Sequence, residues 1–323
     1  LPDEQRLLHK LFSNYDTSVR PVFNSSHRVV VSFNYNLIQV MDMDEKNQIL
    51  TLNAWLEWSW KDERIKWDPA EFNGLTVFRV PSKKLWLPDI VLYNNADDYT
   101  TGFMKVNVML LNDGTVMWSP PARLRSSCHI DITYFPFDSQ FCSQKFGSWS
   151  YSQSQVDLVN TSEVLEVSNY ISNGEWTLFK YKLKRNEVVY PISDEVFPDV
   201  TISIMIYRRI LYYVLNILLP CFWLNILSVL TFCLPPDAGE KLTLSITVLL
   251  SYSVFMLLVA ESMPPTSESV PLIEVYLTLS MAMSSVSVIM TVMVMKLHHS
   301  PPNVQEVPSW VRYFILGFLG RII

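Results

Sequence analysis

The chain has 323 residues, 49% hydrophobic and 17% charged, with 31 acidic against 25 basic side chains and a formal net charge of −6. That length allows two domains with separate cores. The acidic balance, with no basic patch to release counterions from phosphates, excludes a nucleic-acid partner and suits a surface that gathers cations.

The first predicted element is a one-faced helix over 3–12, with Leu7, Leu8, Leu11 and Phe12 on its apolar side. Short β-like runs follow at 29–41, 48–60, 75–80, 90–93, 105–111, 115–119, 129–133, 139–148 and 200–207. Turn signals such as Asn73-Gly74, Asn112-Asp113-Gly114 and Asn173-Gly174 separate several of them. Many short strands at this spacing predict a β-sandwich or barrel. Two triplets, Asn24-Ser25-Ser26 and Asn160-Thr161-Ser162, match the N-glycosylation pattern and point to an exported domain.

Of the four cysteines, Cys221 and Cys233 fall in an apolar segment, which leaves Cys128 and Cys142 as the pair in the polar half. A disulfide between them implies an oxidising compartment and, for a closed loop of this size, a stabilisation of roughly 3 kcal/mol. Between these cysteines lies the apolar run Tyr134-Phe135-Pro136-Phe137, and an aromatic before Pro136 favours a cis bond there.

Beyond Arg209 the composition changes. Apolar stretches at 210–232, 242–260 and 275–295 each match the ~20 residues that cross a bilayer core. The expected orientation is amino-terminal half outside, three crossings, carboxyl end inside. The positive-inside count does not support this order, since Arg208-Arg209 lies outside the first span, so it rests on the disulfide. Pro220 predicts a kink in the first span. In the second span, steps of three and four residues from Glu240 reach Thr243, Thr247, Leu250, Val254, Leu257 or Leu258, and Glu261. A lipid-facing stripe would not carry carboxylates at both ends and hydroxyls between. A water-filled path would: Glu rings favour cations, Thr hydroxyls replace hydration water, and a ring of Leu250 and Val254 closes by dewetting. Asp237 would add a further inner ring. The segment 301–323 predicts a helix lying on the inner membrane face.

Several motifs together resemble the pentameric Cys-loop receptors, closest to the nicotinic acetylcholine receptor branch. They are Trp55-Leu56 with Trp60 and Trp67, the run from Trp86 to Asp97 (WLPDIVLYNNAD), Phe135-Pro136-Phe137-Asp138 inside the closed loop, Phe146-Gly147-Ser148-Trp149-Ser150-Tyr151, and the second span GEKLTLSITVLLSYSVFMLLVAE. The resemblance covers residues 1 to about 300. It implies a multidomain membrane protein of the cell surface: an extracellular all-β sandwich with an N-terminal helix (1–207), an all-α transmembrane pore domain (208–300) and the cytoplasmic interfacial helix (301–323). The family has a fourth span, which this chain does not include.

The same resemblance implies five subunits around a pore for monovalent cations, expected as a homopentamer in membrane lipid, and a small cationic agonist held between neighbouring outer domains. Tyr93, Trp149, Tyr190 and Phe197 match the principal face of that site, and Trp55, Met109, Met117 and Ser119 the complementary face. Such aromatics hold an ammonium by cation–π attraction, roughly 0.5–2 kcal/mol per ring. Trp58, Trp60, Trp67 and Trp86 read instead as core. One departure is plain: Ile192 and Ser193 stand where principal-face nicotinic subunits carry two adjacent cysteines, so the agonist need not be acetylcholine. The alternatives are an accessory subunit that supplies only the complementary face to a different partner, and a ligand-binding protein without conduction, against which the carboxylate and hydroxyl face of the second span speaks. For coupling to the pore, the resemblance implies an ion pair of Glu45 with Arg209 and a contact of Phe135, Pro136 and Phe137 with the outer ends of the spans near 264–271. It also implies a weak modulatory calcium site at Asp44 and Glu175. No Ser/His/Asp, zinc or phosphate-loop constellation points to an enzyme.

Overall fold

The computed structural model describes residues 1–98, 102–191, 194–235, 239–261, 263 and 269–299. Two compact units form, one of Leu1–Leu211 with Ser262–Pro271 and the other built on the apolar helices. Asp237, Ile192, Ser193 and the segment 301–323 lie outside the described residues.

The first unit opens with helix α1 (Asp3–Phe12), which buries Leu7 and Leu11 and carries Asp3 and Glu4 in its first turn, where the helix dipole favours acids. Eleven strands follow: β1 (Val29–Asp44), β2 (Ile49–Lys61), β3 (Val77–Pro81), β4 (Ile90–Leu92), β5 (Asn107–Leu111), β6 (Thr115–Trp118), β7 (Pro121–Ser127), β8 (Ser139–Ser148), β9 (Val156–Asn160), β10 (Trp176–Val189) and β11 (Val196–Arg208). A seven-stranded sheet runs β3-β5-β6-β2-β1-β9 with β7 also paired to β2, and a four-stranded sheet runs β10-β11-β8-β4.

Alternation along each strand builds the core between the sheets. In β2 the side chains of Leu50, Leu52, Ala54, Leu56, Trp58 and Trp60 are buried, while Trp55 points the other way. Phe33 and Tyr35 from β1 meet Phe146 from β8 with ring centroids 5.3 and 6.1 Å apart, and Phe33 stacks on Trp58 at 5.8 Å. The Tyr35 hydroxyl donates to Gln144 Oε1 at 2.9 Å, which satisfies its one polar group in this apolar layer. Trp58, Trp60, Trp67 and Trp86 are all buried, as expected of aromatics in a β-sandwich.

Three strands escape the sequence patterns. β7 starts at a proline, β9 is short, and β10 (WTLFKYKLKRNEVV) is an edge strand whose lysines mask its alternation. Conversely, the run 129–133 forms no strand; Ile130 and Ile132 are buried from within the closed loop instead. Gly114 shows why that turn takes glycine: its φ is +89°, and a Cβ there would sit 2.7 Å from the Asp62 carbonyl oxygen.

The second unit holds α2 (Leu211–Cys233), α3 (Lys241–Glu261) and α4 (Leu272–His298), each long and apolar enough to cross a membrane. Pro220 has no N–H for the carbonyl four residues back, and α2 widens to a π-helical stretch at Val214–Leu218 just before it. The Tyr252 hydroxyl on α3 donates to the Cys221 carbonyl of α2 at 3.4 Å, and Asn225 of α2 donates to the Tyr276 hydroxyl of α4. The buried Lys241 sends its Nζ back to the Phe232 and Leu234 carbonyls at 3.5 and 3.3 Å, a cation placed at the carbonyl end of α2.

Candidate functional site

Four predicted aromatics gather toward one end of the four-stranded sheet. Tyr93 follows β4, Trp149 follows β8, and Tyr190 and Phe197 flank the turn between β10 and β11. Tyr93 meets Trp149 edge-on with centroids 6.1 Å apart, and Tyr190 meets Phe197 edge-on at 5.7 Å. Trp149 is 69% exposed, so its large apolar ring is held out into solvent rather than packed.

The backbone and a half-buried acid, Asp89, hold this arrangement. The Tyr93 hydroxyl donates to the Ser148 carbonyl at 2.7 Å, and its ring lies over Gly147, where any Cβ would collide with that hydroxyl. Asp89 accepts from Ser148 Oγ and from the Ser150 N–H at 2.7 Å, while its own carbonyl takes the Trp149 N–H at 3.2 Å. Asp89 thus pins the segment that presents Trp149. Lys145 Nζ lies 3.0 Å from the buried Asp199 and 5.7 Å from the Tyr93 centroid, and Asn186 donates to Asp199 at 3.0 Å. Burial, then the charges of Tyr190, Asp199 and Asp89, push the Tyr93 phenol well above its ordinary range and keep it neutral. The site reading from sequence missed Asp89, Lys145, Asn186 and Asp199; no local pattern separates them from other polar residues in and beside the strands.

The second set occupies the outward face of the seven-stranded sheet. Trp55 is 47% exposed and Met117 39%. Met109 and Met117 sit directly opposite on β5 and β6, and Ser119 follows on the same exposed side. Glu57, two positions from Trp55 and hence on the same face, takes the Asn34 and Asn36 amides at 3.2 and 2.8 Å. The outward face of one sheet cannot look onto the other sheet of its own sandwich. A single chain therefore carries the two residue sets on different surfaces.

On α3 the buried residues are Lys241, Ser245, Val248, Tyr252 and Val259. Glu240, Thr243, Thr247, Leu250, Val254, Leu257 and Glu261 are all exposed. At ~100° per residue, these seven positions lie roughly opposite the buried stripe. The face predicted to line a water path is thus the one this helix leaves unpacked within the chain.

The expected Glu45–Arg209 pair is corrected to Glu45–Arg208. Arg208 is buried, with Nη1 at 2.8 Å from Glu45 and 3.5 Å from Glu175, and with Nε and Nη2 at 2.8 and 3.1 Å from the two Asp138 oxygens. Arg209 is exposed and donates to Thr177 Oγ1 at 3.2 Å. The reason is strand parity: Val200, Ile202, Ile204 and Ile206 face inward along β11, so residue 208 does too. Burial lowers the Arg208 pKa, but the hydrogen bonds and charge of Asp138, then Glu45, outweigh it and push it up. Burial outweighs the Arg208 charge at Glu45 and raises that carboxyl above its usual range.

Cys128 and Cys142 form the expected disulfide, and the Phe135-Pro136 bond is cis. Within the loop, Phe135 is buried beneath the Arg208 guanidinium at 4.9 Å, and Pro136 is buried as well. The exposed rings are Tyr134 and Phe137, so the apolar tip consists of these two rather than Phe135 with Phe137. Asp44 is engaged by the Asn47 backbone and side-chain N–H groups at 2.8 and 2.7 Å, and Glu175 lies beside Arg208. Among the described residues no three His, Cys, Asp or Glu converge to hold a metal. Asn24 is exposed, whereas the half-buried Asn160 donates its amide to the Ser162 carbonyl at 2.9 Å.

Comparison with known proteins follows these two units. Family models described as the neurotransmitter-gated ion-channel ligand binding domain and the neurotransmitter-gated ion-channel transmembrane region match residues 4–210 and 217–323. Similar curated proteins include the neuronal acetylcholine receptor subunit alpha-2 of Gallus gallus, 44% identical over 318 residues, covering 98% of this chain and 60% of the relative. The alpha-4 subunit of Homo sapiens is 43% identical over 320 residues, covering 99% and 51%. The alpha-3 subunit of Rattus norvegicus is 42% identical over 320 residues, covering 99% and 64%. The chain spans between 51% and 64% of the length of these three relatives.

Proposed function

The chain belongs to the neurotransmitter-gated ion-channel family, and from that premise we propose that it is one subunit of an agonist-gated, cation-selective pentamer of the nicotinic type. As a family member it is a multi-pass plasma-membrane protein with its ligand-binding domain outside the cell. The observation that carries the proposal is the separation of the two residue sets: an exposed Trp149 with Tyr93, Tyr190 and Phe197 toward one end of the four-stranded sheet, and Trp55 with Met109, Met117 and Ser119 on the outward face of the other sheet. Apolar rings held in water at both surfaces are supported best by a ligand and a neighbouring subunit that cover them.

In this reading the agonist is a small organic cation whose ammonium lies against Trp149, each well-placed ring contributing roughly 0.5–2 kcal/mol. Asp89 holds Trp149 in place before binding, so little ordering remains to be done when the ligand arrives. Closure of the β10–β11 turn brings Tyr190 and Phe197 over it. Movement at the membrane end of the domain then opens the ring of Leu250, while Glu240 attracts the permeating cations and repels anions. The absence of adjacent cysteines at Ile192 and Ser193 supports an agonist other than acetylcholine. The same departure supports a second reading, in which this chain supplies only the complementary face to a different subunit.

Expression of the chain alone with recording under a panel of ammonium agonists tests the homomeric reading. Current with a cation-selective reversal potential is expected, and Glu240→Gln should shift that potential toward nonselectivity. Current only with a second subunit would favour the complementary role, and an unchanged reversal potential in Glu240→Gln would remove the pore assignment.

A further inference from the structure

The outer face of the four-stranded sheet carries apolar surface that neither the ligand site nor the pore uses. Phe141 on β8 is 64% exposed and Phe179 on β10 is 54% exposed. Strand register sets Met205 of β11 between Phe141 on one side and Lys180 on the other. The Phe179 ring meets Tyr207 edge-on at 4.9 Å, and Lys180 Nζ lies 5.4 Å from the Phe179 centroid. Phe141, Phe179, Lys180, Lys182 and Met205 border a groove of about 590 Å³, with Tyr207 beside it against Phe179. Lysines on an edge strand guard it against pairing with other chains. That guard does not account for three exposed rings and a methionine side by side on a face that water would otherwise cover.

The place of the patch in the chain selects its occupant. β11 ends at Arg208 and the apolar helix α2 starts at Leu211, so Tyr207 stands four residues before a membrane-spanning segment. At ~3.3 Å per residue that is about 13 Å of chain at most. The headgroup layer extends about 5–7 Å beyond the hydrocarbon, and an aromatic ring or a lysine stem covers much of the rest. Rings flanked by cations on long apolar stems are the side-chain chemistry of membrane interfaces.

We propose that this patch rests on the phospholipid headgroups of the outer leaflet, with the Phe179 and Tyr207 rings among them and Lys180 pairing with lipid phosphate. The patch lies on the sheet whose strands lead to Tyr190 and Phe197. It is independent of agonist identity and of conduction.

Amine-reactive labelling of the intact protein in phosphatidylcholine nanodiscs and in maltoside micelles, which lack phosphate, tests it. Labelling of Lys180 should slow roughly threefold in the nanodisc, the middle of the range for an exposed charge pair, while the exposed Lys83 and Lys84 on the turn after β3 label equally in both. The double variant Phe141→Ser/Phe179→Ser should return Lys180 in nanodiscs to its micelle rate. Equal rates for Lys180 in the two media would overturn the proposal. So would protection in micelles that grows with protein concentration, which would assign the face to a second copy.

Discussion

Replacing Asp138 by Asn removes one charge from a pair in which both side chains are almost fully buried, Arg208 1% and Asp138 2% exposed. Two aligned hydrogen bonds, 2.8 and 3.1 Å, join them. Breaking a buried ion pair by removing one partner costs about 3–5 kcal/mol, because the remaining charge stays out of water. Glu45 remains 2.8 Å from Arg208 and offsets part of the loss, so the expected cost is near the lower end, about 3 kcal/mol. For a domain of this size each kcal/mol moves the melting temperature by about 2–4 °C, which gives a drop of roughly 6–12 °C. Glu45→Gln is the control: burial already opposes ionisation of that carboxyl, so the uncharged isostere should change stability by no more than about 1 kcal/mol. Thermal unfolding of the detergent-solubilised protein, followed by tryptophan fluorescence, reads both. A melting point for Asp138→Asn within a degree or two of the unmodified protein, or a larger loss in Glu45→Gln, would refute the reasoning that Asp138 is the principal counter-charge of Arg208.

The Glu45 carboxyl also carries a pH signature. Its folded pKa is raised above the ordinary 4.5 by burial, so the folded state holds the proton more tightly than the unfolded chain, and stability falls as pH rises from about 4.5 through the raised value. Glu45→Gln should flatten that part of the stability curve, and an unaltered slope across the window would count against the buried placement. Gly147→Ala should weaken agonist binding about tenfold by displacing the Tyr93 ring, an overpacking cost of about 1–3 kcal/mol; Tyr93→Phe, which removes the colliding oxygen, should restore part of it in the double variant, and strictly additive losses would show that the two residues do not meet. Cys128→Ser/Cys142→Ser opens a loop with a sequence separation of 14 and should cost about 3 kcal/mol; thiol reductant should bring the unmodified protein to the same melting point and leave the variant unaffected.

Adjacent positions on a strand show how near the surface some of this information lay. Ile202, Ile204 and Ile206 alternate inward, and continuing that beat by one step selects Arg208 over Arg209 as the buried cation. The pattern was readable, yet a buried arginine breaks the apolar rhythm and resembles the end of the strand rather than its continuation. β10 was harder, because the exposed Lys180, Lys182 and Lys184 dominate its composition and its partner β11 reveals the register only once paired. Asp89 and Asp199 offered no local signal at all, since their role depends on side chains 50 or more residues away for the one and on β8 for the other.

What this sequence determined by itself was everything set by local composition or by scarcity: three apolar segments of spanning length, a single cysteine pair in the polar half, tryptophans whose alternation sends Trp58 inward and Trp55 outward, and a helix face bearing carboxylates and hydroxyls. Each follows from a period of two or 3.6 residues, or from having no other partner. Only the tertiary structure decided which acid meets Arg208, that Phe135 lies beneath that guanidinium while Phe137 stays exposed, and that Tyr93 is fixed over Gly147. Those outcomes depend on cross-strand register and on which chain segments a closed loop brings alongside, and such contacts are set by the packing of the whole sandwich rather than by the residues next in line.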